Sequence, residues 1–168
     1  MQFRPLTAEE IECRVSTVSE KGCSLLLYKD ARCDMRILDE SGVLWQRKHY
    51  ECKGNLFCSV GIKIGDEWVW KDDCGAESYT EKEKGEASDS FKRACFNWGI
   101  GRELYTAPFI WVTADNVTLA DKGDKKSTYD KFRVEKITIT DGKITQISII
   151  NDTKSKKDGK VVRAFVKV

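Results

Sequence analysis

The sequence has little histidine and no closely spaced cysteines, from which structural zinc sites are built. His49 is the only histidine among the 168 residues, and no two of the seven cysteines form a CxxC pair. Structural zinc sites need closely spaced ligands of this kind, so the sequence predicts no metal site. The odd number of cysteines and the lack of a secretory signal are typical of buried thiols in a cytoplasmic protein, kept reduced in the cytosol.

Several functional motifs are also missing. No apolar run approaches the ~20 residues of a membrane-spanning helix, so we expect no membrane partner. No GxxxxGK[ST] loop is present, which argues against ATP-driven strand exchange. Gly99 and Gly101 lack the third glycine of a dinucleotide fingerprint, and His49 has no recognisable serine or cysteine partner for a nucleophilic triad. We therefore predict a protein that is not an enzyme and that uses no cofactor.

Charge is distributed unevenly along the chain. The formal net charge is only +2, which by itself does not indicate a nucleic-acid partner. Residues 113–168 hold 13 lysines and arginines against 8 acidic residues, whereas residues 1–112 carry a net charge of −3. A basic tail beside a slightly acidic body gives weak support for a polyanionic partner.

The N-terminal third reads as helix, strand and helix. Thr7 and Glu10 have the spacing of a capping box, and apolar residues then recur at helical spacing, at Ile11, Val15 and Val18. The apolar run 23–28 predicts a buried strand. Asp30 can cap a helix that extends to about Glu40. The inner stripe predicted for that helix is Ala31, Met35 and Leu38.

The same helix carries two arginines one turn apart. Arg32 and Arg36 therefore project from the same outer side. Two interpretations are open at this point: the arginines bind a partner, or they form surface ion pairs with Asp39 and Glu40.

From Trp45 the hydrophobic period changes from helical to two. Residues 45–53, 56–64 and the stretch from 68 read as strands, with Gly65-Asp66 as a two-residue hairpin loop. The result is an antiparallel three-stranded meander that leads into the next helix. The predicted fold class is α+β, with an antiparallel β-β-β-α core packed with N-terminal helices.

The helix after the meander spans about residues 81–98. Thr80 and Glu83 have capping-box spacing, and the glycines at 99 and 101 mark its end. Lys92 and Arg93 lie at the edge of the apolar stripe. That stripe comprises Phe91, Ala94, Cys95 and Trp98. Periodicity alone favours an ordinary core helix with a solvated basic edge.

The remainder predicts a small C-terminal β-hairpin element. Residues 113–128 read as a polar loop, and residues 129–150 as a hairpin around Asp141-Gly142. A charged loop at 151–160 and a last strand at 161–168 follow. We expect residues 1–112 to form the functional domain and residues 113–168 to form a basic β-element, packed on that domain or lying between subunits.

One string in this chain resembles a known family. SDSFKRACFNWGIGRELY, residues 88–105, is similar to the helix segment of the Rad52 family of single-strand annealing proteins, and more closely to its short phage and prophage members. There an alanine-rich helix carries a Lys-Arg pair and ends in an aromatic-glycine step. The segment from Tyr28 to Trp45 also fits the family, and the resemblance covers about residues 5–112.

The resemblance implies a set of DNA-binding residues. Arg32, Lys92 and Arg93 match positions that the family uses to hold the single-strand backbone in an inner groove, with Arg36 on the same side of its helix as Arg32. Lys63 lies near a second, outer DNA site of the family. A further basic position of the family falls on Phe96, which either stacks on bases or packs internally.

The resemblance also implies a function in homologous recombination and double-strand break repair. The protein would bind single-stranded DNA, anneal it without ATP, and act as a homo-oligomeric ring, as a phage recombinase does. Trp111 and the 129–150 hairpin are candidates for the ring interface, or they pack internally. A single-strand-binding protein or an exonuclease is a candidate partner.

Two other functions compete with annealing. A non-catalytic adaptor that binds another recombination or replication protein would explain the small net charge equally well. A metal-dependent nuclease would need converging carboxylates, for which Asp72-Asp73 and the acidic run Glu81, Glu83 and Glu86 are the candidates. These acidic residues look more like exposed charges at a strand end and a helix start.

Overall fold

The computed structural model describes residues 1–76 and 82–168, with side chains from residue 85 in the second range. The strands are β1 (Glu12–Ser19), β2 (Gly22–Tyr28), β3 (Trp45–Cys52), β4 (Asn55–Ile64), β5 (Glu67–Cys74), β6 (Ile110–Thr113), β7 (Ala120–Lys122), β8 (Lys125–Ser127), β9 (Phe132–Thr140), β10 (Lys143–Asn151) and β11 (Arg163–Lys167). The helices are α1 (Ala31–Glu40), α2 (Lys82–Asn97) and α3 (Asp152–Asp158). The predicted α+β class, with its β-β-β-α order, is confirmed.

The chain folds as two compact units. The first comprises Met1–Pro5 and Lys29–Arg102, and the second comprises Leu6–Tyr28 and Glu103–Val168. The predicted division of function after residue 112 stays a prediction.

The first unit contains the predicted meander. β3, β4 and β5 pair antiparallel in that order, and Gly65-Asp66 forms the predicted loop between β4 and β5. α2 packs on one face of this sheet, against β4 and β5. α1 also contributes to the core of the unit. The fully buried residues of this core, from β4, α2 and α1, include Cys58, Val60, Ile62, Phe91, Ala94, Cys95, Cys33, Ile37 and Leu38.

The second unit is a six-stranded antiparallel sheet in the order β11-β10-β9-β1-β2-β6. β11 also contacts β6, so the two edges of the sheet approach each other. The predicted 129–150 hairpin is present as β9 and β10, but it belongs to this larger sheet and is not a separate small element. The predicted loop 113–128 contains the short β7–β8 hairpin, and the predicted loop 151–160 contains α3.

The predicted first helix is wrong. Residues 12–19 form β1, which pairs with β2. The ladder has an irregularity between Val15 and Val18, so two residues three positions apart are both half-buried. A bulged strand therefore produced the spacing of a helix face.

Further sequence features have clear outcomes. Asp141-Gly142 turns the chain with φ values of 51° and 72°, as a two-residue hairpin loop requires. None of the seven cysteines forms a disulfide. In the part of the chain that the structure describes, no helix combines the length and apolar character needed to cross a membrane. The proposed Thr80–Glu83 capping box lies outside the described residues.

Candidate nucleic-acid interface

α1 presents two arginines on its exposed side. The Asp30 carboxylate accepts a hydrogen bond from the backbone N–H of Cys33 at 2.7 Å, which satisfies one of the orphan donors at the helix start. Arg32 and Arg36 are both exposed and lie one turn apart. The buried residues of α1 are Cys33, Asp34, Ile37 and Leu38. The predicted stripe of Ala31, Met35 and Leu38 is therefore wrong in two of its three members.

The two acidic residues at the end of α1 have partners elsewhere. The Asp39 carboxylate accepts a hydrogen bond from the indole N–H of Trp45 at 2.7 Å. Glu40 forms an ion pair with Arg4, with a nitrogen–oxygen distance of 2.8 Å.

α2 presents the Lys-Arg pair around a shared carboxylate. The Lys92 ammonium lies 3.9 Å from one oxygen of Asp89, and Arg93 Nε lies 2.8 Å from the other. Burial acts to raise the pKa of Asp89, but hydrogen bonds from the Ala76 N–H and from Arg93, with the two positive charges, outweigh it and lower the pKa. Asp89 is therefore ionised and offsets one of the two positive charges.

A buried lysine that sequence reasoning missed connects α1 to α2. The Lys29 ammonium, 1% exposed, donates a hydrogen bond to the carboxylate of Asp34, which is fully buried on α1. It also lies 3.5 Å from the backbone oxygen of Lys92 on α2. Burial raises the pKa of Asp34 to about 6, although the charges of Lys29 and Lys92 act to lower it. The only sequence signal was a charged residue directly after the apolar run 23–28.

Phe96 has a packing role in this arrangement. The Lys29 ammonium lies over its ring, 4.1 Å from the centroid, in a cation–π contact. Phe96 stands at the position where the resembling family is basic. In this chain the ring contributes to holding Lys29 between the two helices.

The end of α2 follows the sequence prediction. Gly99 and Gly101 have φ values of 92° and 72°, a conformation that favours glycine. The Arg102 guanidinium donates hydrogen bonds to the carbonyl oxygens of Phe96 and Asn97, and the Lys71 ammonium donates another to Asn97 at 2.8 Å. Cationic groups therefore satisfy the orphan carbonyls of the last turn.

Lys63 lies on the other face of the sheet. Arg47, His49 and Lys71 contact α2, which identifies the face that the helix covers. Lys63 pairs with Trp68 and belongs to the opposite set of positions along β4. The structure therefore brings Arg32 together with Arg36, and Lys92 with Arg93, and it separates Lys63 from the Lys-Arg pair.

Of the acidic residues considered for a nuclease, Asp72, Asp73 and Glu86 have described side chains and do not converge, whereas the side chains of Glu81 and Glu83 lie outside the described residues. Asp72 accepts a hydrogen bond from the Tyr50 hydroxyl on one face of the sheet, whereas Asp73 accepts one from the Asn97 amide on the α2 face. Glu86 accepts a hydrogen bond from the backbone of Leu56 at 2.8 Å. Among the residues whose side chains are described, no group of three His, Cys, Asp or Glu could hold a metal ion.

Comparison with known proteins gives one match. Residues 46–123 match the model of the Rad52/22 family of double-strand break repair proteins. The matched region includes the meander, α2, Lys63, Lys92 and Arg93, and it extends beyond residue 113, where the sequence had shown no resemblance. Arg32 and Arg36 lie before it. Searches of curated proteins and of solved structures gave no further match. This match over residues 46–123 supports a protein of the Rad52/22 family, whose members are described as double-strand break repair proteins.

Proposed function

We propose that this protein binds single-stranded DNA and anneals complementary strands without ATP. The observation that carries the proposal is the pairing of two cationic elements, Arg32 with Arg36 on α1 and Lys92 with Arg93 on α2, in a chain that matches the Rad52/22 family. Lys29 supports their arrangement, because it is hydrogen-bonded to α1 and lies against the turn of α2 that carries Lys92. Lys63 lies on the opposite face of the sheet and would form a separate contact with the DNA.

Lysine and arginine suit this function because their positive charges bind the backbone phosphates, which are the same at every nucleotide. Contacts of this kind release counterions and are independent of sequence. The bases of the bound strand stay available to test a second strand for pairing. Four phosphate contacts per subunit would give a slope of about −3 in a plot of log affinity against log salt. Raising salt from 50 to 200 mM would then weaken binding roughly 50-fold.

One subunit offers few phosphate contacts, so the proposal includes assembly. Copies of the chain would form a homo-oligomeric ring through a head-to-tail interface, which would join the cationic surfaces into a longer track. Residues 113–168, with Trp111, would contribute to that interface or to the DNA surface. Annealing would use no nucleotide hydrolysis, and a single-strand-binding protein or an exonuclease would be its partner in the cell.

Charge reversal tests the site. The double variant Lys92→Glu, Arg93→Glu replaces two positive charges with two negative ones beside Asp89. We expect loss of single-strand binding and annealing, with the oligomer and the far-ultraviolet circular dichroism unchanged. A matched control is Lys21→Glu with Arg14→Glu, which makes the same change in net charge at two exposed residues of the second unit that lie outside residues 113–168.

The comparison of the two double variants decides the assignment. Normal annealing by the α2 variant would exclude Lys92 and Arg93 from the site. Equal loss in both variants would show that net charge, and not this location, determines binding. If the wild-type protein is not retained on single-stranded DNA at low salt, the adaptor function replaces the annealing function.

A further inference from the structure

The face of the β3–β4–β5 sheet opposite α2 carries a concentration of aromatic rings that the proposed site does not use. We call it the aromatic face. Cross-strand pairing places its residues on the same side of the sheet. The aromatic face comprises Lys48, Tyr50, Phe57, Lys63, Trp68 and Trp70.

The rings form two groups at different levels of the sheet. Tyr50 stacks on Phe57, with ring centroids 5.4 Å apart and an interplanar angle of 17°. Trp68 and Trp70 form the second group, with centroids 6.1 Å apart. Tyr50 pairs with Phe57 and Trp68 pairs with Lys63, so six positions along β4 separate the two levels, or about 20 Å.

Neighbouring groups hold the rings in place. Gly61 has no side chain, and a Cβ there would lie 2.8 Å from the Trp70 ring, so the indole lies directly on the strand. The Lys48 ammonium lies 4.4 Å from the Trp70 centroid on the same face. The Tyr50 hydroxyl donates a hydrogen bond of 2.7 Å to Asp72. Fixed rings bind at a lower entropic cost than mobile ones.

The aromatic face also reaches solvent and carries positive charge. Tyr50 on the edge strand β3 and Trp68 on the edge strand β5 are each 39% exposed, so both rings are accessible to a ligand. Lys48 and Lys63 contribute two positive charges. The carboxylate on this side, Asp72, already accepts hydrogen bonds from Tyr50 and from the Ser59 hydroxyl.

We infer that the aromatic face stacks the unpaired bases of single-stranded DNA, with Tyr50 and Trp68 as the contacting rings. This inference rests on the proposed function and adds to it a contact that reads base planes. Aromatic rings beside lysines are the combination by which single-strand-binding surfaces hold bases without regard to sequence. A second copy of this chain fits the face less well, because the cores of protein–protein interfaces are depleted of charged residues such as Lys48 and Lys63.

The test compares two fluorescein-labelled probes of equal length at low salt, a dT oligonucleotide and an abasic oligonucleotide that keeps the phosphates. Fluorescence anisotropy measures the affinity of the whole protein for each probe. We expect the wild-type protein to prefer dT. Trp68→Leu should reduce that preference at least roughly fivefold and leave the affinity for the abasic probe unchanged.

Further variants separate this inference from the proposed function. Tyr50→Leu, at the other level of the face, gives an independent test if Trp68→Leu does not fold. Tyr50→Phe keeps the ring and should keep the preference, and Tyr105→Leu controls for loss of an exposed tyrosine outside the face. The variant Lys92→Ala, Arg93→Ala should weaken both probes by the same factor.

Four results would overturn the inference. Equal wild-type affinity for the two probes would mean that bases contribute nothing, while the proposed backbone site would stand. If both leucine variants keep the preference for dT, the bases stack elsewhere on the protein. If the leucine variants keep that preference but no longer form the oligomer, the aromatic face is an interface between copies of the chain. Absence of binding to either probe would overturn the proposed function as well.

Discussion

The buried pair of Lys29 and Asp34 gives a sharp prediction about stability. Their side chains are 1% and 0% exposed, so removal of one partner leaves the other charge buried and unpaired. Such a change costs about 3–5 kcal/mol, whereas replacement of both partners by apolar residues is often neutral or stabilising. We therefore expect Lys29→Met and Asp34→Leu each to destabilise the protein strongly, and the double variant to regain most of the loss.

The pH dependence of the single variants adds a second readout. The raised pKa of Asp34, about 6 against an unperturbed 3.8, means that the native state binds more protons than the unfolded state between these values. The contribution of this group to stability therefore falls as pH rises from about 4 to 6. Lys29→Met removes the nearest positive charge and raises the pKa of Asp34 further, so its stability deficit should be larger at pH 8 than at pH 5.

Urea unfolding followed by tryptophan fluorescence suits this measurement. Trp45, Trp68, Trp70 and Trp98 lie in the first unit with the pair, and Trp111 alone lies in the second. In a thermal scan, a loss of 3–5 kcal/mol corresponds to roughly 6–20 °C for a protein of this size. Single variants that each cost less than about 1 kcal/mol, with additive effects in the double variant, would refute the buried ion pair.

Three further predictions concern other parts of the chain. Phe96→Arg should lower the melting temperature and not raise the affinity for single-stranded DNA, because the new cation would replace the ring that lies 4.1 Å from the Lys29 ammonium; tighter binding at unchanged stability would contradict this. Gly75→Ala should destabilise the protein by about 1–3 kcal/mol in urea unfolding, because a Cβ would lie 2.2 Å from the backbone oxygen of Glu86 on α2. Arg163→Met should raise the pKa of Glu135 from about 2 towards its ordinary value in an NMR titration, because the hydrogen bond from Arg163 is the main cause of the low value. The stabilisation by that pair is present above pH 4.5 and is lost as the pH falls towards 2. A Glu135 pKa that is the same in Arg163→Met as in the wild-type protein would show that the pair is not formed.

Local patterns were sufficient to predict the meander and α2. Strict alternation along β4 and the two-residue loop at Gly65-Asp66 fixed both the strands and their antiparallel pairing. The apolar stripe of α2 and the glycines after it likewise fixed the face and the end of the helix. These features depend on residues close together in sequence, where periodicity and turn chemistry are informative.

The features that the sequence did not reveal depend on distant residues. β1 and β9 pair at Glu12 and Arg133, and no local pattern indicates that the N-terminal strand joins a C-terminal hairpin. The bulge in β1 imitated the spacing of a helix. The Lys29–Asp34 pair could not be predicted without knowing which face of α1 is buried. The inner stripe predicted from Ala31 and Met35 left Asp34 outside the buried face, whereas the structure buries it.

The sequence was sufficient to predict which basic residues belong to the candidate site, but not which of them lie together in the folded chain. Lys92 and Arg93 were adjacent in the sequence, but their shared contact with Asp89 depends on the i, i+3 and i, i+4 geometry of the folded helix. The position of Lys63 on the opposite face follows from strand register, and no local pattern relates that register to the face covered by α2. Its neighbours there, Trp68 and Trp70, became candidates for a base contact only once that face was known.

Annealing of two complementary labelled oligonucleotides by the purified protein, without ATP or magnesium, tests the central claim most directly. The account predicts acceleration over the spontaneous rate at 50 mM salt and loss of most of that acceleration by 200 mM, because the proposed phosphate contacts are screened. Acceleration that needs ATP, or binding without any acceleration at low salt, would contradict it.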